Sequence, residues 1–91
     1  MQKGAMMSER QMVVLRRFDW DYGSESWPYL RTVAKELEMT HGDVRNAARA
    51  LARKGFVRVQ LLFDDNGYTA GSTYIITEAG HLALEEKVAD A

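Results

Sequence analysis

Arginine and asparagine can fork onto base edges, arginine onto guanine and asparagine onto adenine. Residues 41–53, HGDVRNAARALAR, place three arginines and an asparagine along one side of a helix. Gly42, Arg45, Asn46, Arg49 and Arg53 recur at helical spacing, and no acid shares their face. Val44, Ala47, Ala48 and Leu51 take the opposite face at i, i+3, i+4 and i+7, the spacing of a buried stripe. Such a helix can anchor its apolar side on a core and turn its cationic side to a DNA major groove. The blander alternative is a solvated charged face, so the flanking segments must decide.

Other chemistry has little support. His41 and His81 are the only histidines, forty positions apart in unrelated contexts. No HExxH, GxSxG or phosphate-loop pattern occurs, so no catalytic residue is assigned and no enzyme is expected. The chain has no cysteine, which removes disulfides and thiolate metal sites, and no metal or cofactor is expected. His41 at a helix start suits a phosphate or base contact. His81 is expected on the surface of the last helix, and Glu85 and Glu86 as a solvated pair.

The elements that must hold the cationic helix can be read on either side of it. Residues 1–7 are expected to be a flexible N-terminal extension, with Met6 or Met7 a possible natural start, and residues 8–91 one domain. Ser8 and Gln11 have capping-box spacing, and Val14, Leu15 and Phe18 give the first helix an apolar edge, flanked by Met7 and Met12. Residues 19–26, DWDYGSES, read as a loop, with Trp20, Tyr22 and Trp27 as aromatic lids on the core. Pro28 suits the first turn of a second helix carrying Leu30, Val33, Ala34 and Leu37. Met39 and Thr40 interrupt that pattern, and Thr40 can cap the third helix with Asp43 in its first turn. A link of about three residues between two helices is the turn of a helix-turn-helix unit.

Gly55 can end the third helix, and residues 56–63 then alternate as a strand with Val57, Val59, Leu61 and Phe63 on one wholly apolar face. Asp64-Asp65-Asn66-Gly67 is a turn, residues 68–71 lengthen the loop, and residues 72–76 return as a second strand. Thr77 can cap a final helix from Glu78 to about Val88, with Leu82, Ala83 and Val88 inward and Leu84 widening the apolar arc.

Charge is uneven along this order. The formal net charge is −1, but residues 41–58 carry five basic side chains against Asp43 alone, while residues 59–91 carry one lysine against six acids. A basic stripe therefore sits in a chain with an acidic tail, and local field governs groove docking more than net charge does. No apolar run is long enough to span a membrane and the N-terminus has no signal-like apolar segment, so a cytoplasmic protein is expected.

Four segments in this order resemble a known family. Thr32-Val33-Ala34-Lys35-Glu36-Leu37 looks like its "LAeeL" helix, and Met39-Thr40-His41-Gly42-Asp43-Val44 like its turn and the start of its recognition helix. Leu51-Ala52-Arg53-Lys54-Gly55-Phe56-Val57 is similar to its "L-x-x-K-G-[LF]-[VI]" passage into the wing, and Tyr74-Ile75-Ile76-Thr77-Glu78-Ala79-Gly80 to its "y-x-L-T-x-x-G" exit. Over residues 8–88 the chain thus resembles the winged helix-turn-helix DNA-binding domains of bacterial regulators, especially the MarR and PadR types.

The resemblance implies an α+β fold: a three-helix core, a two-stranded wing and a C-terminal helix. It implies a small transcriptional regulator that binds double-stranded DNA in a sequence-specific way, with helix 41–54 in the major groove. Arg45, Asn46 and Arg49 are expected at base edges, with Gly42 admitting a close backbone approach. Thr40, His41, Arg53 and Arg58 are expected on phosphates.

Two departures bear on mechanism. Family wings often carry a tip arginine that enters the minor groove, whereas this tip is Asp-Asp-Asn-Gly. MarR-type proteins dimerise through long terminal helices, whereas this final helix is short. The chain is then a monomer, a homodimer through its first or last helix (Leu82, Leu84 and Val88 forming the seam), or a minimal regulator of the phage and mobile-element kind. The alternative function is a winged-helix module that binds a protein partner without binding DNA, which the acidic wing and tail favour.

Overall fold

Ser8 opens the first helix as its sequence demands. Its hydroxyl accepts the N–H of Gln11 at 3.1 Å and the Gln11 side chain accepts the Ser8 N–H, a complete capping box. Helix α1 runs over Glu9–Asp19, α2 over Leu30–Leu37, α3 over His41–Arg53, strand β1 over Val57–Phe63, β2 over Thr69–Ile76 and α4 over Glu78–Asp90. The computed structural model describes residues 7–24 and 27–90, with side chains as far as Glu86. Of the extension read over residues 1–7, only Met7 lies within this range; its side chain is partly buried against the core. The chain adopts the expected α+β winged helix-turn-helix fold, a three-helix core followed by a two-stranded antiparallel wing and a C-terminal helix.

The three helices meet on the faces their periodicity marked. Val14, Leu15 and Phe18 of α1, Leu30, Val33 and Ala34 of α2, and Val44, Ala47, Ala48 and Leu51 of α3 form one buried cluster. Phe56, Val57 and Ile76 extend it under the base of the wing, and Leu84 closes it from α4. Arg17 ties α1 to α2, with Nη2 2.9 Å from Glu36 and Nη1 3.2 Å from Asp21. Among the described residues no helix is long and apolar enough to cross a membrane.

The joint between α2 and α3 differs slightly from the reading of the sequence. Tyr29, not Pro28, precedes the first residue of α2, so Pro28 lies just outside the helix, where it is buried and its carbonyl accepts the Thr73 hydroxyl. Helix α2 ends at Glu38, which takes the left-handed conformation (φ 56°), and Met39 donates its N–H to the Ala34 carbonyl. Thr40 caps α3, accepting the Asp43 N–H at 3.0 Å.

Gly55 (φ +82°) turns the chain out of α3 into the wing, a conformation that a side chain would strain. Strand β2 begins at Thr69 rather than near residue 72. The register pairs Leu62 with Gly71 and Phe63 with Thr69, so Ala70 is accommodated as an irregularity inside the ladder instead of a loop. Thr77 joins four elements: its N–H reaches the Phe56 carbonyl at 3.0 Å, its hydroxyl donates to the Gly55 carbonyl at 2.7 Å and accepts the Gly80 N–H at 3.1 Å.

Four expectations need correction. Trp20, Tyr22 and Trp27 are exposed, not lids; the aliphatic cluster and Phe18 already fill the core. Trp20 lies under the Arg17 guanidinium, 4.8 Å from its ring centre. Leu84 is buried in the core and Leu82 is exposed, the reverse of the inward–outward order expected, so Leu84 is not free to form a dimer seam. Val88, the third residue of that seam, has its side chain outside the described range.

His81 is only part-exposed. Its Nδ1 lies 2.8 Å from Asp19 Oδ1, its Nε2 lies 3.4 Å from Glu85, and its ring stacks on Tyr22 at 4.2 Å and 10°. It clips α4 to the end of α1, and Glu85 is its partner rather than half of a free pair.

Finally, the apolar face of β1 does not reach the core beyond Val57. Val59, Leu61 and Phe63 are 52, 47 and 59% exposed. The two-stranded wing projects past the helices and leaves them uncovered.

Candidate nucleic-acid interface

Helix α3 turns one face to the core and the other to solvent, because only Val44, Ala47, Ala48 and Leu51 can enter the aliphatic cluster. Arg45, Asn46, Arg49 and Arg53 are consequently exposed, as are Thr40, His41 and Gly42 at the N-terminal end. A Cβ on Gly42 would meet only Thr40 Oγ1 at 3.9 Å, so the backbone there is open to close approach.

Among the described residues no carboxylate pairs with Arg45, Arg49, Arg53 or Arg58. The single acid near the start of α3, Asp43, faces Arg10 of α1 at 3.6 Å, which draws its charge away from the cationic side. Arg45 instead lies 3.5 Å from His41 Nδ1, one turn earlier, aligning both side chains along the helix. Unpaired guanidinium groups on a fixed helix keep their donors for an anionic or base-edge partner.

A groove of about 740 Å³ runs between this helix, the N-terminal end of α2 and the wing. His41, Arg45 and Arg49 line one wall, Tyr29, Leu30, Arg31 and Thr32 another, and Leu62, Ala70, Gly71, Ser72 and Tyr74 the third. The fold therefore gathers His41, Arg45 and Arg49 in one concavity, while Thr40, Asn46 and Arg53 stay on the open face of α3 outside it. Gly42 likewise lies outside the walls. Arg58 alternates with the buried Val57, so it points from the other face of the wing, and its Nη1 lies 3.5 Å from Gln60 Oε1.

Reading the sequence missed Tyr29, Arg31, Thr32, Ser72 and Tyr74. Only Arg31 carried a visible signal, a cation three residues after Pro28 at the start of the helix preceding the cationic one. The wing residues are brought in by the hairpin register, which no local pattern encodes.

Among the described residues the charged side chains lining the groove are three arginines, with two tyrosine rings and the Thr32 and Ser72 hydroxyls beside them. This set can hold a phosphodiester backbone by charge and hydroxyl contact, beside side chains able to fork onto bases. Among the described residues no group of three His, Asp or Glu side chains could hold a metal ion.

The sequence matches no protein-family profile and no curated protein. In three dimensions the chain is similar to a solved structure described as a possible transcriptional regulator from Methanosarcina mazei Go1, with a TM-score of 0.68. The match covers 98% of this chain and 73% of that one at 14% identity, a likeness that establishes the shared fold.

Proposed function

We propose that this protein is a sequence-specific double-stranded-DNA-binding regulator that lays α3 in the major groove, with no enzymatic activity of its own. The observation that carries the reading is the uncompensated cationic face of α3, which continues through His41, Arg45 and Arg49 into a groove completed by Arg31. Arg45, Asn46 and Arg49 read base edges. Thr40, His41 and Arg53 hold phosphates on the open side of the helix, and Arg31 with the Tyr29 hydroxyl holds them on the groove side. Gly42 lets the sugar-phosphate backbone come close to the start of α3.

The solved structure with this fold is described as a possible transcriptional regulator, which favours the regulatory reading, and the four wing and helix motifs favour a place near the MarR and PadR types. Such a regulator works in the cytoplasm, where its DNA is. The wing tip does not follow the family's minor-groove habit. Asp64 and Asp65 repel phosphates, so the wing lines the groove with its stem and keeps its tip clear.

Selection of bound sites from random duplex DNA tests the reading. A recurrent motif is expected, bound with an affinity that falls linearly against log salt. Absence of any bound duplex at low salt overturns it.

A further inference from the structure

Among the described residues the outer edge of β1 is open. The wing is a two-stranded sheet in the order β1-β2, so β1 has one free side along Val57–Phe63. Natural edge strands are usually blunted by proline, lysine or a covering segment. This one, VRVQLLF, has neither residue and carries a single charge, Arg58. Val59, Leu61 and Phe63 leave an exposed apolar row along it.

The bonds at the two ends of the hairpin fix which main-chain groups face outward. Thr77 donates to the Phe56 carbonyl at 3.0 Å, and Asp64 donates to the Tyr68 carbonyl at 2.8 Å. In an antiparallel ladder, bonded and non-bonded pairs alternate. Arg58, Gln60 and Leu62 therefore exchange their bonds with β2, and the N–H and C=O groups of Val59, Leu61 and Phe63 point away from it. The Leu61 carbonyl confirms the parity: it accepts the Gln60 side-chain amide at 3.0 Å, a local bond that holds the place of a missing strand.

We infer that β1 pairs antiparallel with β1 of a second copy about a two-fold axis at Leu61, forming a four-stranded sheet from two wings. The pattern of the strand selects this register. With Leu61 opposite Leu61 of the other copy, Val59 meets Phe63 on the same face, so the whole exposed row packs against itself. Outward main-chain groups then meet outward groups at all three positions. Arg58 falls opposite Asp64, which puts a cation and an anion together at each end of the pairing. Shifting the axis to Gln60 or Leu62 loses the charge match, since Arg58 then meets Leu62 or Asn66, and leaves the exposed row incompletely paired, with Phe63 opposite the buried Val57 or Val59 opposite Asp65. The contact uses no residue of the cationic α3 face, and it stands independently of the DNA reading because association is measured without DNA.

The test is the solution mass of the full-length chain across concentration, with variants that read the register. The parent is expected to pass from one chain to two as concentration rises. Arg58→Glu sets two acids face to face at each end and should raise the dimerisation midpoint by roughly tenfold. Asp64 Oδ1 also accepts the Asn66 and Tyr68 N–H groups at 2.9 Å, so the second change is Asp64→Asn, which keeps that acceptor and removes the charge; the double variant R58E/D64N should bring the midpoint back below that of R58E.

Leu61→Cys in this cysteine-free chain should oxidise to a cross-linked dimer, since paired Cα atoms in such a ladder stand about 5.5 Å apart, within disulfide range. Val59→Cys should not, because four residues of offset separate its two copies by about 13 Å. All these positions are exposed, and circular dichroism of each variant verifies folding. A parent that stays a single chain at millimolar concentration overturns the inference. So does a dimer in which R58E/D64N associates no better than R58E, or in which Val59→Cys cross-links as readily as Leu61→Cys.

Discussion

Gly80 has no room for a side chain. A Cβ there would stand 2.2 Å from the Phe56 carbonyl oxygen, 2.9 Å from Ile76 Cγ1 and 3.0 Å from the Phe56 carbonyl carbon. Two of those three atoms are backbone and cannot swing aside, so Gly80→Ala must push the start of α4 outward by about 1 Å to restore ordinary contact. That movement strains the Gly80 N–H bond to Thr77 and unseats Leu84 from the core. Overpacking of this kind costs about 1–3 kcal/mol. Replacing glycine in a helix returns up to about 1 kcal/mol, less in a first turn than in the interior. The net expectation is a loss of about 2 kcal/mol, which for a domain of this size lowers Tm by roughly 8–16 °C. Thermal unfolding followed by circular dichroism, with urea unfolding at 25 °C as a second measure, reads it directly. A Gly80→Ala variant with unchanged or raised Tm refutes the close approach of α4 to the α3–β1 junction.

Leu51, fully buried between the three helices, should lose about 2–5 kcal/mol as Leu51→Ala, measured by urea unfolding. Arg49→Ala should weaken a selected duplex by about 1–3 kcal/mol and relax preference at one base position, read by anisotropy against a panel of single-base changes. Arg31→Ala should instead weaken all duplexes alike and flatten the salt dependence, because a phosphate contact carries no sequence information. The hydrogen bond that the His81 ring donates to Asp19 raises the His81 pKa above the usual 6.5, against the opposing pull of desolvation and with help from the Asp19, Glu85 and Glu78 charges. The protonated ring is therefore favoured in the folded state. The stabilisation is full below about pH 6.5 and is lost as pH rises through the raised folded value. Asp19→Asn should lower Tm at pH 5 and leave it nearly unchanged at pH 9, and equal losses at both would exclude this coupling.

The helical core was legible because its signals are local. Val44, Ala47, Ala48 and Leu51 declare a face by spacing alone, and Ser8, Thr40 and Gly55 mark helix ends by bonds made within a few residues. Helix α4 was harder. Leu82, Ala83 and Leu84 are consecutive, so periodicity cannot say which of them turns inward, and only packing against α1 and Ile76 chooses Leu84. The aromatic loop misled for a related reason: bulk marks a residue as able to fill a core, but the aliphatic side chains had already filled it. Alternation along β1 located the strand correctly but could not show that the wing outruns the helices that would cover it. The cationic face of α3 was visible, whereas the groove was not, since Arg31, Ser72 and Tyr74 converge on Arg45 and Arg49 only through tertiary placement.

Thr77 sets how the two halves of the groove can move. Its three bonds fasten the exit of α3, the base of both wing strands and the first turn of α4 within a few ångströms of one another. A hinge at Gly55 would have to break the Phe56 N–H bond to the Leu51 carbonyl at 2.9 Å and, because Thr77 carries α4 along with the wing, pull Leu84 out of the core, although glycine alone would permit it. The wing stem and the cationic helix therefore rotate as one body, and the width of the groove between them is nearly constant. A signal that released such a protein from its ligand could not act by folding the wing back. It would have to tilt the whole domain or compete for the groove itself.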